Sequence, residues 1–232
     1  MTEDLVETQQ AALEVLASVN AIITDTHVVF ASGLHGNAYV NKDAVYPYTD
    51  KIKWLCSLMA ERHVDDNIEV VVAPEKGGII LAQWVADHLS KRTGRQVLAV
   101  YAEKETISFP DPEGRDRKCY IETGRFIFNR GYDKLVVGRR CLFVEDIFNT
   151  GGSAREGVLA TKAAGGIVVA VVGLCNRGGV TTADIGVERF SALINITMEA
   201  WVAPCPLCIA GVPVNTEVGK GKAYLANLTA NS

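Results

Sequence analysis

The chain has 232 residues, 48% hydrophobic and 22% charged, a mix that suits one folded domain with a large core and excludes disorder, collagen and coiled coil. Lysines and arginines number 23 against 27 aspartates and glutamates; the net charge of −4 supplies no overall basic field for nucleic acid. Six cysteines are too sparse for a disulfide scaffold in a chain this long. The acidic, polar start, MTEDLVETQQ, does not read as a signal or transit peptide. The longest apolar run, Ile167–Leu174, is far short of the ~20 residues of a membrane helix. A reduced, cytoplasmic, soluble protein without nucleic-acid or membrane partners is expected.

Apolar residues at roughly 3.6-residue spacing predict a first helix from Leu5 to Ala21. Val28–Phe30 is a short β run, 32–37 is turn chemistry, and Tyr39–Val40 is its candidate return strand. A second helix is predicted from Thr49, with Ile52, Leu55, Cys56 and Met59 on one face. Strand and helix then alternate: strand Ile68–Ala73, helix Gly77–Arg92, strand Val97–Ala102, strand Cys141–Glu145, helix Ser153–Ala164, strand Ile167–Leu174, and a last strand Phe190–Thr197. This alternation predicts an α/β fold, a parallel sheet flanked by helices. Residues 103–140 break the rhythm with two prolines, four glycines, many charges and only short β-like pieces near 118–122 and 125–129. So long an insertion reads as a functional lid or as a decorative surface hairpin. The expected organisation is a single domain over 1–232, with an N-terminal segment to about 48, the insertion at about 103–140 and a C-terminal extension at about 198–232.

The informative segment is Cys141–Arg155, CLFVEDIFNTGGSAR. A hydrophobic strand runs into Glu145 and Asp146, a small-residue loop follows, and a helix begins at Ser153. Converging backbone N–H groups and the positive end of the helix dipole make such a loop an anion cradle. Glycines let backbone approach a phosphate closely, and Thr150 and Ser153 add hydroxyl donors. Two adjacent acids cannot favour that phosphate; they suit the hydroxyls of a sugar beside it. The loop thus reads as a pocket for a phosphorylated sugar, against the plainer reading of a capped helix after a glycine turn.

The segment 144–153, VEDIFNTGGS, resembles the 5-phosphoribosyl-1-diphosphate (PRPP) motif of type I phosphoribosyltransferases, departing visibly only at Asn149, where threonine is common. Other segments are similar to orotate phosphoribosyltransferases: 32–40 to the stretch that covers the base, 73–79 (APEKGGI) to the pyrophosphate loop, 101–105 and 129–132 to the ends of the mobile hood, and 205–213 to the C-terminus of one branch. The likeness spans roughly residues 25–220. It departs at Ile107 and Phe109, where the hood often has lysine and histidine, and at Ala31, where a lysine often stands. Arg115, Arg117 and Lys118 are possible substitutes in the hood.

The resemblance implies transfer of phosphoribose from PRPP to N1 of orotate, with Mg²⁺, in a homodimer. It implies that Glu145 and Asp146 hold the ribose hydroxyls and that Asn149, Thr150, Gly151, Gly152 and Ser153 cradle the 5-phosphate. Lys76, with Gly77 and Gly78, would face pyrophosphate, or else be a solvated loop lysine; a cis peptide near 75–76 is part of the same likeness. Lys104 would meet pyrophosphate on hood closure, or else pair with Glu103 or Glu105. Arg177 would bind the orotate carboxylate and Tyr39 would lie on the pyrimidine ring, or else be a core tyrosine. Cys205 and Cys208 are spaced like half a zinc site, but no second CxxC or HxxxH exists, and His27, His35, His63 and His88 form no ligand spacing. Packing is favoured there, and no metal ligands are assigned. Transfer to a purine or uracil, a PRPP-sensing regulator without catalysis, and a bare phosphate-binding α/β domain remain open.

Overall fold

In the computed structural model, which describes residues 3–113 and 115–230, the chain divides into two units: Met1–Tyr48 with Ile196–Ser232, and Thr49–Asn195. The first unit opens with helix α1 (Glu3–Ala17), which ends four residues short of the predicted Ala21. Asn20 turns left-handed (φ 54°), and the Ala21 N–H folds back onto the Leu16 carbonyl at 2.9 Å, a capping turn that stops the helix. Strands β1 (Ile22–Ile23), β2 (Val28–Val29), β3 (His35–Gly36) and β4 (Tyr39–Val40) follow. β2 pairs with β3, not with Tyr39–Val40, because the Phe30 N–H donates to Leu34 O at 2.8 Å and closes the hairpin early. β4 pairs instead with β1.

The second unit contains helix α2 (Thr49–Glu61), strand β5 (Val70–Pro74), helix α3 (Gly77–Thr93), strands β6 (Leu98–Pro110) and β7 (Lys118–Ile127), helix α4 (Asp133–Val136), strand β8 (Arg140–Phe148), helix α5 (Gly152–Ala163), strand β9 (Ile167–Asn176), helix α6 (Thr182–Ile185) and strand β10 (Phe190–Asn195). They form one six-stranded sheet in the order β10-β9-β8-β5-β6-β7, parallel except for β6–β7. β5 is buried at every position, as a central strand covered on both faces must be. Side chains alternate across the sheet, so Val70, Val72, Phe143 and Val171 pack with Ala154, Val158 and Ile185 of α5 and α6. α3 buries Gly78, Leu81, Ala82, Val85, Ala86 and Leu89, a stripe at helical spacing, and α2 buries the predicted Ile52, Leu55, Cys56 and Met59. Each fully buried leucine contributes about 1.5–3 kcal/mol.

The predicted insertion is an antiparallel ribbon. β6 runs on past Ala102 to Pro110, and β7 returns as one strand where two short pieces were expected. The register shifts between Lys104 and Thr106. The chain then re-enters the first unit, which closes with helices α7 (Pro206–Ile209) and α8 (Gly221–Ala230). There Trp201 pairs with His35, and Asn215 donates its N–H to His27 O at 2.7 Å. No helix among the described residues is long and apolar enough to cross a membrane.

Candidate active site

In an open parallel sheet the carboxyl ends of the strands form the crevice where ligands bind. In the second unit those ends carry most of the predicted residues. β8 is paired with β5 only as far as Phe143, but with β9 as far as Phe148. Glu145 and Asp146 therefore emerge where the pairing with β5 stops, and both are nearly buried, at 5% and 8% exposure. Their carboxylates are fixed by the strand itself. Glu145 Oε1 accepts from the Asp146 N–H at 3.0 Å, and Asp146 Oδ1 accepts from the Ile147 N–H at 2.6 Å.

Past Phe148 the loop turns outward. Asn149, Thr150, Gly152 and Ser153 are exposed, and Gly151 turns the chain with φ 77° just before α5. The first helical bond runs from the Arg155 N–H to Gly151 O at 2.8 Å. The N–H groups of Gly152, Ser153 and Ala154 precede it, so none has an intrahelical acceptor. Among the described residues, only the Gly152 N–H of the three meets a side chain, Thr150 Oγ1, at a long 3.4 Å. Orphan donors at the positive end of a twelve-residue helix are the arrangement an anion cradle would need.

Arg177 belongs to this loop as well as to the end of β9. Its Nε–H donates to Asn149 Oδ1, while the backbone N–H groups of Arg177 and Gly178 donate to Phe148 O at 3.1 and 3.2 Å. Gly178 abuts the Asn149 carbonyl so closely that a Cβ there would lie 1.5 Å from the oxygen. The candidate base-binding arginine and the candidate phosphate loop are therefore one assembly, a coupling that no local motif signals. Burial pushes the neighbouring Cys175 thiol up to about 12, which removes it as a nucleophile.

The Lys76 loop follows the adjacent strand. Glu75–Lys76 is a cis peptide, as the family likeness implies, and exposed Lys76 immediately precedes α3 with its Gly77-Gly78 start. The Glu75 N–H donates to Ala102 O at 2.9 Å, and Glu75 Oε1 accepts from the Lys104 N–H at 2.8 Å. Glu75 thus ties the lysine loop to the root of the ribbon.

On the ribbon, Lys104 pairs with neither flanking acid. Its Nζ sits 2.7 Å from Glu122 across the strands, both side chains well exposed. Glu103 is engaged by Asn129 and Arg130, which hold its carboxyl below the usual range. Glu105 is engaged by Thr123 and Arg125, with the same effect. Arg115 and Arg117 both grip Asp111, and Arg115 also grips Glu113. Among the described residues Lys118 makes no ion pair. Ile107 and Phe109 pair with Ile121 and Cys119, so these two departures from the family pattern share one ribbon face. Tyr39 lies in the first unit, half-buried, its ring stacked on Phe30 at 6.5 Å.

No protein-family model matches the chain. An orotate phosphoribosyltransferase of Carboxydothermus hydrogenoformans is 34% identical over 200 residues, spanning 83% of this chain and 88% of that one. One of Caulobacter vibrioides is 32% identical over 195 residues, spanning 83% and 87%. Among solved structures, the Mycobacterium tuberculosis orotate phosphoribosyltransferase in complex with Fe(III) dicitrate superposes with a TM-score of 0.58 at 21% identity, covering 81% of this chain and 96% of that chain. The structural likeness carries the fold, and the sequence relatives carry the family: the chain belongs to the orotate phosphoribosyltransferases.

Proposed function

We propose that the protein transfers phosphoribose from PRPP to N1 of orotate, giving orotidine 5'-monophosphate and pyrophosphate in pyrimidine nucleotide synthesis. The observation that carries this reading is the end of β8, where two fixed, nearly buried carboxylates run straight into an anion cradle that also holds Arg177. Asn149–Ser153 would take the 5-phosphate on backbone N–H groups and hydroxyls. Glu145 and Asp146 would accept hydrogen bonds from the ribose hydroxyls, gripping the sugar as positive charge develops at its anomeric carbon. Lys76 and Lys104 would face the pyrophosphate. Lys104 is available at small cost, because an exposed ion pair such as that with Glu122 is worth only about 0–1 kcal/mol.

Arg177 would pair its planar fork with the orotate carboxylate, and Tyr39 would lie against the ring. The ring nitrogen of orotate ionises readily, so no protein base is required. Hard carboxylate oxygens at Glu145 and Asp146, beside a phosphate site, fit Mg²⁺, which binds few protein ligands together with phosphate oxygens and water. When bound, the ion would neutralise charge on the departing pyrophosphate. A homodimer in which the ribbon of one chain closes over the site of its partner completes the proposal.

The test is the loss of orotate absorbance on adding PRPP and Mg²⁺, with hypoxanthine, guanine, adenine and uracil run alongside. Turnover of orotate alone supports the reading. Turnover of another base and not orotate, or tight PRPP binding with no turnover of any base, overturns it.

A further inference from the structure

We propose that His27, His35, Cys205 and Cys208 form a tetrahedral Zn²⁺ site that fastens the N-terminal and C-terminal segments of the first unit together. All four residues belong to that unit, and their donor atoms converge on one point. His27 Nε2 lies 2.8 Å from His35 Nδ1, and Cys205 Sγ lies 3.6 Å from Cys208 Sγ. The sulfur–nitrogen distances are 3.4 and 3.7 Å from Cys205 and 3.7 and 3.4 Å from Cys208. These are the six edges of a tetrahedron. Usual zinc–sulfur and zinc–nitrogen bond lengths set such edges at about 3.8 Å between sulfurs, about 3.5 Å for the mixed pairs and about 3.3 Å between nitrogens. Five edges agree to within about 0.2 Å of those values. Only the histidine–histidine edge is shorter, and rotating either ring opens it.

The tautomers suit ligation. His27 Nδ1 lies 2.8 Å from Val212 O, and a carbonyl can only accept, so Nδ1 carries the proton and Nε2 presents its lone pair to the cluster. A ligating histidine ordinarily anchors its second nitrogen on a backbone carbonyl in this way. His35 is fully buried, its Nδ1 faces the cluster, and its Nε2 has no hydrogen-bond partner. Without a metal, the short contact requires the His35 Nδ1–H to donate to His27. With or without a metal, the buried Nε2 of His35 has no hydrogen-bond partner among the described residues. With Nδ1 on a metal, Nε2 keeps its proton, and the ring of Tyr224 packs T-shaped against the imidazole at 4.9 Å.

The backbone is already built for the site. His35 exchanges two 2.7 Å hydrogen bonds with Trp201, and His27 O accepts from the Asn215 N–H. The Cys208 N–H points at Cys205 Sγ at 3.4 Å. The sulfurs are too far apart for a disulfide. Two thiolates and two imidazoles in a closed tetrahedron select zinc. The thiolates balance the ion's charge, so the filled site is neutral overall and suits its burial, with His27, His35 and Cys205 each at 1% exposure or less. Four protein ligands leave no open position, which makes the site structural. It would clip together residues about 170 apart in a unit whose strands are only two residues long.

The test begins with the full chain, purified under reducing conditions without chelator and analysed for metal by mass spectrometry. About one zinc per chain is expected. The Co²⁺-substituted protein should show the visible bands of a tetrahedral ion and sulfur-to-metal charge transfer. Cys208→Ser, at the least buried ligand, should lower the zinc content at least tenfold, while Cys119→Ser on the ribbon leaves it unchanged. If Cys208→Ser does not fold, the wild-type chain decides: stripped by a chelator, it should lose thermal stability and regain it with one equivalent of Zn²⁺. Failure of the reduced wild-type chain to take up zinc, an octahedral cobalt spectrum, retention of the metal by folded Cys208→Ser, or its loss from Cys119→Ser would each overturn the proposal.

Discussion

Replacing Gly178 by alanine should cripple PRPP binding while leaving the second unit folded. The added Cβ would sit 1.5 Å from Asn149 O and 2.4 Å from its carbonyl carbon, both backbone atoms. Real contacts of this kind are hardly ever below ~3 Å, so the loop must retreat by roughly 1.5 Å. Overpacking of that order costs about 1–3 kcal/mol of stability, a fall of roughly 2–12 °C in Tm for a chain of this size. Binding should suffer more than folding, because the segment that moves is the proposed phosphate cradle, and a misplacement near 1 Å can cost about a hundredfold. The neighbouring Gly179 is the control. It has φ 65° with open space around it, so Gly179→Ala brings left-handed strain of about 1–2 kcal/mol without displacing Asn149. Calorimetric titration with PRPP and Mg²⁺ in the absence of orotate, beside thermal melts, separates the two effects. Gly178→Ala should bind PRPP ten- to a hundredfold more weakly, and Gly179→Ala nearly as well as wild type. Equal PRPP affinity in the two variants would refute the assignment of this loop to the phosphate.

Asp146→Asn should cut turnover ten- to a hundredfold, the worth of a charge-assisted hydrogen bond at about 1.5–3 kcal/mol, yet melt normally, since the amide oxygen can still accept from the Ile147 N–H; unchanged kinetics would remove the pair from the sugar site. Arg177→Ala should raise the orotate KM more than the PRPP KM. The PRPP KM should rise too, because Asn149 loses its partner, and a larger rise for PRPP than for orotate would make the arginine part of the phosphate site alone. Glu122→Gln should lower the PRPP KM by up to about fivefold by releasing Lys104, while Lys104→Ala should be nearly inactive; an unchanged KM in both variants shifts the role to Arg115, Arg117 or Lys118. Mixing Asp146→Asn with Lys104→Ala after subunit exchange should restore roughly a quarter of wild-type activity if the ribbon acts on its partner's site, and nothing if each ribbon serves its own.

What the sequence discloses depends on whether a residue's neighbours lie along the chain or across it. β5, β8 and β9 are apolar runs because both sheet faces are covered, and α2 and α3 show their buried stripes at helical spacing. The cradle is legible for the same reason: strand end, acids, glycines and helix start lie within ten residues. The ribbon is not. With most of its side chains exposed its apolar alternation is limited to short stretches such as Ile107 and Phe109, and much of its regularity comes from pairs such as Lys104–Glu122 and Arg125–Glu105, whose members lie about twenty residues apart. Tyr39–Val40 is a strand as expected, but its partner is set by a hairpin closing at Phe30, a matter of turn geometry that β propensity does not encode. Cys205 and Cys208 look short of ligands because the two histidines beside them stand at the other end of the chain. Asn149 shows the limit most clearly. Read locally, it is a departure from the threonine of the motif. In the fold its side-chain oxygen Oδ1, one bond farther from the backbone than a threonine hydroxyl, accepts from Arg177 and joins the proposed phosphate loop to the proposed base-binding arginine. A substitution that, read along the chain, only weakens a motif is, in three dimensions, half of a contact whose other half lies 28 residues away.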